Sequence, residues 1–166
     1  MQPDPPEFQP KALLHTLLEH DVDFVVVGGL AAMSHGSAYP SFDVDVVYAR
    51  DRANLERLAA ALRSLGATLR GAPTDVPFQL DAKTLEAGGK FTFATPLGAL
   101  HILDRPDGAP GYAELKANAS EAAIEGGPVL VASLDHMIAM KEATGRPQDK
   151  TVAAELRVIS DELRAT

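Results

Sequence analysis

The chain has 166 residues, 46% of them hydrophobic, with no cysteine and a formal net charge of -8. This length and hydrophobic content predict a single globular domain, and the absence of cysteine excludes disulfides, thiolate zinc sites and cysteine nucleophiles. The negative charge argues against a protein that coats nucleic acid through a basic surface, but it allows a small ligand or a local basic groove. No stretch approaches the roughly 18 consecutive apolar residues of a membrane span, and the first residues do not resemble a signal peptide, so we expect a cytoplasmic protein with no membrane partner.

The first half of the chain alternates between helix and strand patterns. Residues 1–10 are rich in proline and predict a flexible lead, with one domain over residues 11–166. Leucines at helical spacing predict a helix after the lead, and apolar runs predict two strands separated by a short helix. Asp51 is a typical N-cap for a third helix, which Gly66 ends. The predicted elements of this half are helix 11–19, strand 24–27, helix 30–35, strand 42–48 and helix 52–65.

The second half contains a hairpin pattern and two final helices. Prolines and glycines interrupt residues 68–87, which predict mostly loop with short strand segments. Ser133 is a predicted N-cap, Gly145 ends that helix and Pro147 begins the last one, so residues 133–166 form a small helical C-terminal part. The predicted elements of this half are strand 90–94, strand 97–103, helix 112–117, strand 128–131, helix 134–144 and helix 147–164.

Two acidic residues, Asp43 and Asp45, are two positions apart on the second predicted strand. Alternate side chains of a strand share a face, so we expect both carboxylates to point the same way, with their Cα atoms about 7 Å apart. Phe42, Val44 and Val46 are then expected to face the core. Two converging carboxylates suit a hard divalent cation such as Mg2+. The structural alternative is an exposed sheet face that carries solvated acids.

A pair of glycines, Gly28 and Gly29, separates the first strand from the short helix. Glycine permits a tight turn that brings backbone N–H groups close to an anion, and the following helix adds the positive end of its dipole. The pattern therefore predicts a phosphate between the glycine turn and the cation. A plain strand-to-helix turn is the structural alternative.

The glycine turn followed by the Asp-x-Asp strand resembles the nucleotidyltransferase fold of the DNA polymerase beta superfamily. The blocks FDVDVVYARDRANLERLAAAL, FQLDAKTL, FTFATPLGALHIL and LDHMIAMKEATGRPQDK are similar to consecutive blocks of AbiEii-type abortive-infection toxin nucleotidyltransferases. The resemblance covers nearly the whole chain after Val22. It implies an α+β fold in which a mixed, mostly antiparallel sheet is flanked by helices.

The same resemblance implies roles for individual residues. Asp43 and Asp45 would bind Mg2+, with Mn2+ as the alternative ion, and the triphosphate of a nucleoside triphosphate would lie beside the glycine turn. A late motif in the last two helices would lie near the nucleotide. The implied nucleotide-binding residues are Gly28, Gly29, Ser41, Lys141, Arg146 and Asp149.

The late motif also has a structural interpretation. Asp149 falls in the first turn of the last helix and Lys141 in the last turn of the helix before it, where their charges complement the helix dipoles. Arg146 lies between the two helices and is less well explained by capping. It is expected to reach either a phosphate or the aspartate carboxylates.

Two positions depart from the family pattern. His101 stands where relatives place a third carboxylate, and Tyr39 stands where they commonly have an arginine. A neutral imidazole is a softer ligand than Mg2+ prefers. Asp104 is not expected to replace the missing carboxylate, because on a regular strand it faces away from His101. Three interpretations of His101 stay open: packing beside the site, a general base, or a relic of lost activity.

The residue patterns predict a metal and phosphate site, and the resemblance implies a metal-dependent nucleotidyltransferase. Such an enzyme would move a nucleoside monophosphate from a nucleoside triphosphate to a hydroxyl acceptor, which is RNA such as tRNA, a protein or a small molecule. Asp43, Asp45 and His101 are the predicted catalytic residues. The resemblance adds a toxin role with an antitoxin protein as partner. The alternative is a catalytically degenerate module that binds nucleotide or a protein partner without chemistry.

Overall fold

A computed structural model of the chain describes residues 7–70, 79–124 and 127–165. Residues 1–6 of the expected lead and residues 71–78 of the expected loop lie outside these ranges. The helices are α1 (Pro10–Glu19), α2 (Gly28–Ser34), α3 (Arg52–Ser64), α4 (Ala82–Glu86), α5 (Tyr112–Ala117), α6 (Leu134–Thr144) and α7 (Pro147–Arg164). The strands are β1 (Phe24–Val27), β2 (Asp43–Tyr48), β3 (Thr68–Leu69), β4 (Lys90–Thr95), β5 (Gly98–Leu103), β6 (Ser120–Ile124) and β7 (Gly127–Val131).

The strands of the described ranges form one sheet in the order β3-β4-β5-β2-β1-β7-β6. Four neighbouring pairs are antiparallel, namely β1 with β2, β3 with β4, β4 with β5 and β6 with β7. Two pairs are parallel, β1 with β7 and β2 with β5. The sheet is therefore mixed and mostly antiparallel with flanking helices, which confirms the predicted α+β fold class.

The side chains of the central strand β2 alternate between a buried face and a polar face of the sheet. Val44 and Val46 are fully buried in the core, whereas Asp43 and Asp45 alternate with them and point to the opposite face. Helix α3 contributes buried leucines to the core, and its N-terminus is capped by Asp51, whose carboxylate accepts the Asn54 N–H at 3.1 Å. The alternation predicted from the sequence thus sets which face of β2 carries the acids.

Phe42 contradicts the expectation that it faces the core, because the residue is 76% exposed. Strand β2 begins at Asp43, so Phe42 lies before the paired ladder and the strand alternation does not govern it. Its side chain lines a polar cavity instead. The short helix α2 likewise begins at Gly28 and not at residue 30, so it contains the glycine pair.

Two elements were not predicted. Helix α4 has only five residues, and its N-cap Asp81 accepts the N–H of Thr84 at 2.8 Å. Strand β6 contains two alanines and one glutamate, which are weak strand formers. It forms at the sheet edge because β7 pairs with it. Strand pairing thus overrides local propensity in β6, whereas α4 is a short capped helix within a stretch that the prolines and glycines predicted to be loop.

The C-terminal part consists of the helices α6 and α7. Ser133 caps α6 by accepting the N–H of His136 at 3.1 Å, and Gly145 ends it in the left-handed conformation with φ of +69°. Near the start of the described chain, the N–H of Gln9 donates to the carbonyl of Leu97 at 2.8 Å. Within the described ranges, no helix has the length and apolar character required to cross a membrane.

Candidate functional site

The proposed metal ligands come together because β2 and β5 are neighbours. Asp45 pairs with His101 in the parallel register of these strands, and Asp43 lies two residues earlier on the same face. The Nδ1 atom of His101 is 3.1 Å from Oδ1 of Asp45, and its Nε2 atom is 3.5 Å from Oδ2 of Asp43. The imidazole therefore stands between the two carboxylates.

The two carboxylates interact unfavourably with each other. Burial and the negative charge of Asp45 raise the pKa of Asp43 above its ordinary value of 3.8, while His101 and Lys90 oppose the shift. The side chains of Asp45 and His101 are each 18% exposed, against 37% for Asp43. A cation bound here would relieve the repulsion, since opposite charge favours the ionised carboxylate.

The donor set fits a divalent cation. Asp43, Asp45 and His101 each offer one ligand atom, and these atoms all lie within 4.8 Å of one another. Carboxylate oxygen and imidazole nitrogen are both ordinary metal ligands in proteins. Asp104 does not join this group, because it follows the end of β5 and pairs with Arg50 at 3.4 Å.

The glycine pair lies directly against the acidic strand. A Cβ atom on Gly28 would lie 2.2 Å from Oδ2 of Asp45, and one on Gly29 would lie 2.7 Å from Oγ of Ser41. The hydroxyl of Ser41 in turn donates to the carbonyl of Asp43 at 3.0 Å. Only residues without a side chain allow this close approach of the turn to β2.

A buried carboxylate organises the late motif. Asp149 is 5% exposed and accepts hydrogen bonds from the hydroxyl of Thr144 at 2.7 Å and from Nε of Arg146 at 2.9 Å, with Nζ of Lys141 at 3.5 Å. Burial opposes its ionisation, but the hydrogen bonds from Thr144 and Arg146 and the charge of Lys141 outweigh burial and lower the pKa of Asp149. Arg146 thus contacts this aspartate and neither of the two on β2.

Two cavities meet at the acidic strand. The smaller, of about 310 Å³, exposes the acid pair and His101 together with Gly29 and Ser41. The larger, of about 460 Å³, lies between the sheet and α6, with Gly28 and Met137 among its lining residues. The residues that line both cavities are Asp45, Lys90, Lys141, Arg146 and Asp149. Every site residue predicted from the sequence lines at least one of these cavities.

Sequence reasoning missed Lys90 and Thr144. Lys90 is the first residue of β4, and the hairpin register that pairs Thr92 with His101 puts Lys90 on the face of the acid pair. That register follows from the tight turn between β4 and β5, so the hairpin pattern in the sequence already indicated that Lys90 faces the acid pair. Thr144 carried no comparable signal, because its contact with Asp149 depends on the packing of α6 against α7.

Solved structures with similar folds include nucleotidyltransferases. ANT(2")-Ia in complex with adenylyl-2"-tobramycin superposes with a TM-score of 0.54 at 18% identity, covering 93% of this chain and 97% of that chain. The lincosamide antibiotic adenylyltransferase LnuA, with lincomycin bound, gives a TM-score of 0.60 at 12% identity, with coverage of 89% and 94%. An antigenic nucleotidyltransferase-like protein from Paracoccidioides brasiliensis gives 0.54 at 17% identity, with coverage of 90% and 72%.

At these identities the similarity establishes the fold, so the chain has the nucleotidyltransferase fold. No protein-family model matches the chain, and comparison with curated protein sequences gives no match.

Proposed function

We propose that this protein is a metal-dependent nucleotidyltransferase, which transfers a nucleoside monophosphate from a nucleoside triphosphate to a hydroxyl acceptor and releases pyrophosphate. The observation that supports it best is the convergence of Asp43, Asp45 and His101 beside the Gly28 turn, on a nucleotidyltransferase fold. These three side chains would hold a divalent ion, Mg2+ or Mn2+, that neutralises phosphate charge. The other residues of the site are proposed to bind the polyphosphate or to position the residues that do.

The polyphosphate is proposed to bind across the shared wall of the two cavities. Lys90, Lys141 and Arg146 line both cavities and provide positive charge there. The turn at Gly28 and Gly29 brings the backbone close to Asp45, and Ser41 fixes the start of the acidic strand. Asp149 positions two of the cations by accepting their hydrogen bonds and need not touch the nucleotide.

The reaction requires a hydroxyl oxygen to approach the α-phosphorus in line with the departing pyrophosphate. The new bond joins the acceptor oxygen to the α-phosphorus, and the bond from that phosphorus to the bridging oxygen breaks. We assign the hydroxyl proton to the carboxylate oxygen of Asp43 that does not hold the ion, because the side chain of Asp43 is the more exposed of the acid pair. Two adjoining cavities give separate space for nucleotide and acceptor.

The proposed acceptor is a small molecule, a protein or RNA such as tRNA. The net charge of -8 disfavours a polyanionic acceptor, so a small molecule or a protein is the preferred class. The solved neighbours include one structure with adenylyl-2"-tobramycin and one with lincomycin bound. Both ligands are small molecules, which supports the choice of a small-molecule acceptor.

Label transfer tests the activity. The protein is incubated with each α-labelled nucleoside triphosphate and with total RNA, a protein lysate or a library of small hydroxyl compounds, with and without divalent metal. We expect metal-dependent transfer that falls at least about 100-fold in the Asp43→Ala/Asp45→Ala double variant. Asp161→Asn, an exposed site on α7, should keep full activity. Equal transfer by the double variant and the parent protein would overturn the proposal.

His101 supports a second candidate function, a catalytically degenerate module that binds nucleotide or a protein partner without turnover. In the family that the sequence resembles, a third carboxylate stands at this position. Here the position has the imidazole of His101, which lies against Asp45. Calorimetry with a nucleoside triphosphate and metal distinguishes the two: binding without any transfer, and gain of transfer in His101→Asp, would favour the degenerate module.

The similarity of sequence blocks to AbiEii-type proteins extends the proposal to a toxin role with an antitoxin protein partner. Induced expression should then arrest bacterial growth, and the Asp43→Ala/Asp45→Ala variant should not. Normal growth under strong expression of the parent protein would count against the toxin role alone.

A further inference from the structure

The third donor of the candidate metal site is an imidazole, and it is firmly placed. His101 lies in the interior of the sheet, paired with Asp45 on β2 and with Thr92 on β4. Its two ring nitrogens face different carboxylates, Nδ1 toward Asp45 at 3.1 Å and Nε2 toward Asp43 at 3.5 Å. A nitrogen is thus already within reach of a cation that both carboxylates bind.

An imidazole changes both the net charge of the site and its preference among metal ions. Mg2+ takes oxygen ligands in near-ideal octahedral geometry and gives up its water reluctantly. First-row transition ions accept imidazole nitrogen more readily than Mg2+ does. Mn2+ has the lowest affinity among them, but it also binds carboxylate oxygen well. Relative to a third carboxylate, His101 removes one negative charge, which weakens binding of both ions. It also replaces one hard oxygen by nitrogen, and this change weakens binding of Mg2+ more than binding of Mn2+.

We propose that His101 coordinates the metal and makes this site select Mn2+ over Mg2+. The inference rests on the proposed function only for the presence of a cation at Asp43 and Asp45, and it adds the class of ion. The competing arrangement is one in which His101 only donates a hydrogen bond to Asp45, and the cation then has oxygen ligands alone. The two arrangements differ in whether nitrogen is bound to the metal.

Electron spin-echo spectroscopy of bound Mn2+ tests coordination directly and needs no nucleotide. Wild-type protein loaded with Mn2+ should show nitrogen modulation from a directly bound imidazole. The modulation should vanish in His101→Ala and His101→Asp and persist in His15→Ala, where a partly exposed histidine of α1 paired with Glu19 is removed. Mn2+ bound to wild-type protein without nitrogen modulation would overturn the proposal, whatever the stability of the variants.

Selectivity is measured by displacement of Mn2+ with Mg2+, followed by electron paramagnetic resonance. The ratio of the Mg2+ to the Mn2+ dissociation constant should be larger in the wild type than in His101→Asp by on the order of tenfold. An unchanged ratio would overturn the claim of selectivity.

The coordination experiment can succeed or fail independently of the transferase proposal. Nitrogen-coordinated Mn2+ in a protein that transfers no label would support this inference and count against the transferase. Transfer that runs with Mg2+ in a protein showing no nitrogen coordination would overturn this inference alone.

Discussion

Gly28 lies so close to Asp45 that a Cβ atom on the glycine would be 2.2 Å from Oδ2 and 2.8 Å from Cγ of the aspartate. The glycine also has φ of +70°, a conformation that other residues adopt at a cost. Two independent constraints, backbone angle and space, therefore require glycine at this position. They tie the turn after β1 to the position of a proposed metal ligand.

Gly28→Ala should reduce metal affinity by about tenfold or more, because the added methyl group displaces the Asp45 carboxylate. Gly66→Ala is the matched control. Gly66 has φ of +65° with nothing within 4 Å of a built Cβ atom, so it shares the backbone strain of about 1 to 2 kcal/mol without the clash. Thermal unfolding and Mn2+ titration of both variants would check this, and equal metal affinity in the two would contradict it.

Asp43→Asn should stabilise the metal-free protein at neutral pH. Burial and Asp45 raise the pKa of Asp43 in the folded state, so ionised Asp43 opposes folding. This cost is absent below the unfolded pKa of about 3.8 and complete above the raised folded pKa. Melting temperatures at neutral and at acid pH measure it, and we expect the gain at neutral pH only. A lower melting temperature for Asp43→Asn at neutral pH would show that the attraction to His101 outweighs the repulsion.

Asp149→Asn should lower the stability of the fold at neutral pH, the opposite of the effect expected for Asp43→Asn. The folded pKa of Asp149 is lowered, so its carboxylate stabilises the fold above the unfolded pKa and loses this effect as the pH falls through the folded pKa. Because the side chain is buried and accepts hydrogen bonds from Thr144 and Arg146, the loss at neutral pH should be about 1 to 3 kcal/mol. Denaturant unfolding across the acid range checks this, and a loss that is independent of pH would contradict it.

Asn54→Ala should destabilise the protein by about 2 to 4 kcal/mol. Asn54 is fully buried, accepts the N–H of Asp23 at 2.7 Å and donates to the carbonyls of Asp23 and Ala49 at 3.0 and 2.8 Å. It thereby joins α3 to the end of β2 and the start of β1. Asn118→Ala removes an exposed asparagine that bonds only within its own helix region, and it should change stability little. Urea unfolding of the two variants makes the comparison.

Lys90→Ala should weaken binding of a nucleoside triphosphate analogue by on the order of tenfold, since Lys90 lines both cavities and faces the acid pair. Lys83→Ala, at an exposed position of α4, is the control for the change in net charge. Calorimetry with metal present measures both affinities. Equal affinities in the two variants would remove Lys90 from the proposed nucleotide site.

Val44 and Phe42 show which side-chain orientations the strand pattern predicts correctly and which it does not. The alternation along β2 predicted that Val44 is buried and that Asp43 and Asp45 share a face, and the structure agrees. The same alternation failed for Phe42, because the strand begins one residue later, at Asp43. Strand ends depend on pairing with a neighbour, and a single strand pattern contains no information about its neighbour.

The sequence by itself determined the features that lie within one element: the acid pair on one side of β2, the glycines that follow β1, and the helix caps at Asp51 and Ser133. Their periodicity and capping chemistry act over a few residues and are readable locally. The tertiary structure alone decided that His101 stands between the two carboxylates and that Asp149 holds Lys141 and Arg146. These contacts join separate elements, and only the register of β5 on β2 and the packing of α6 against α7 fix them.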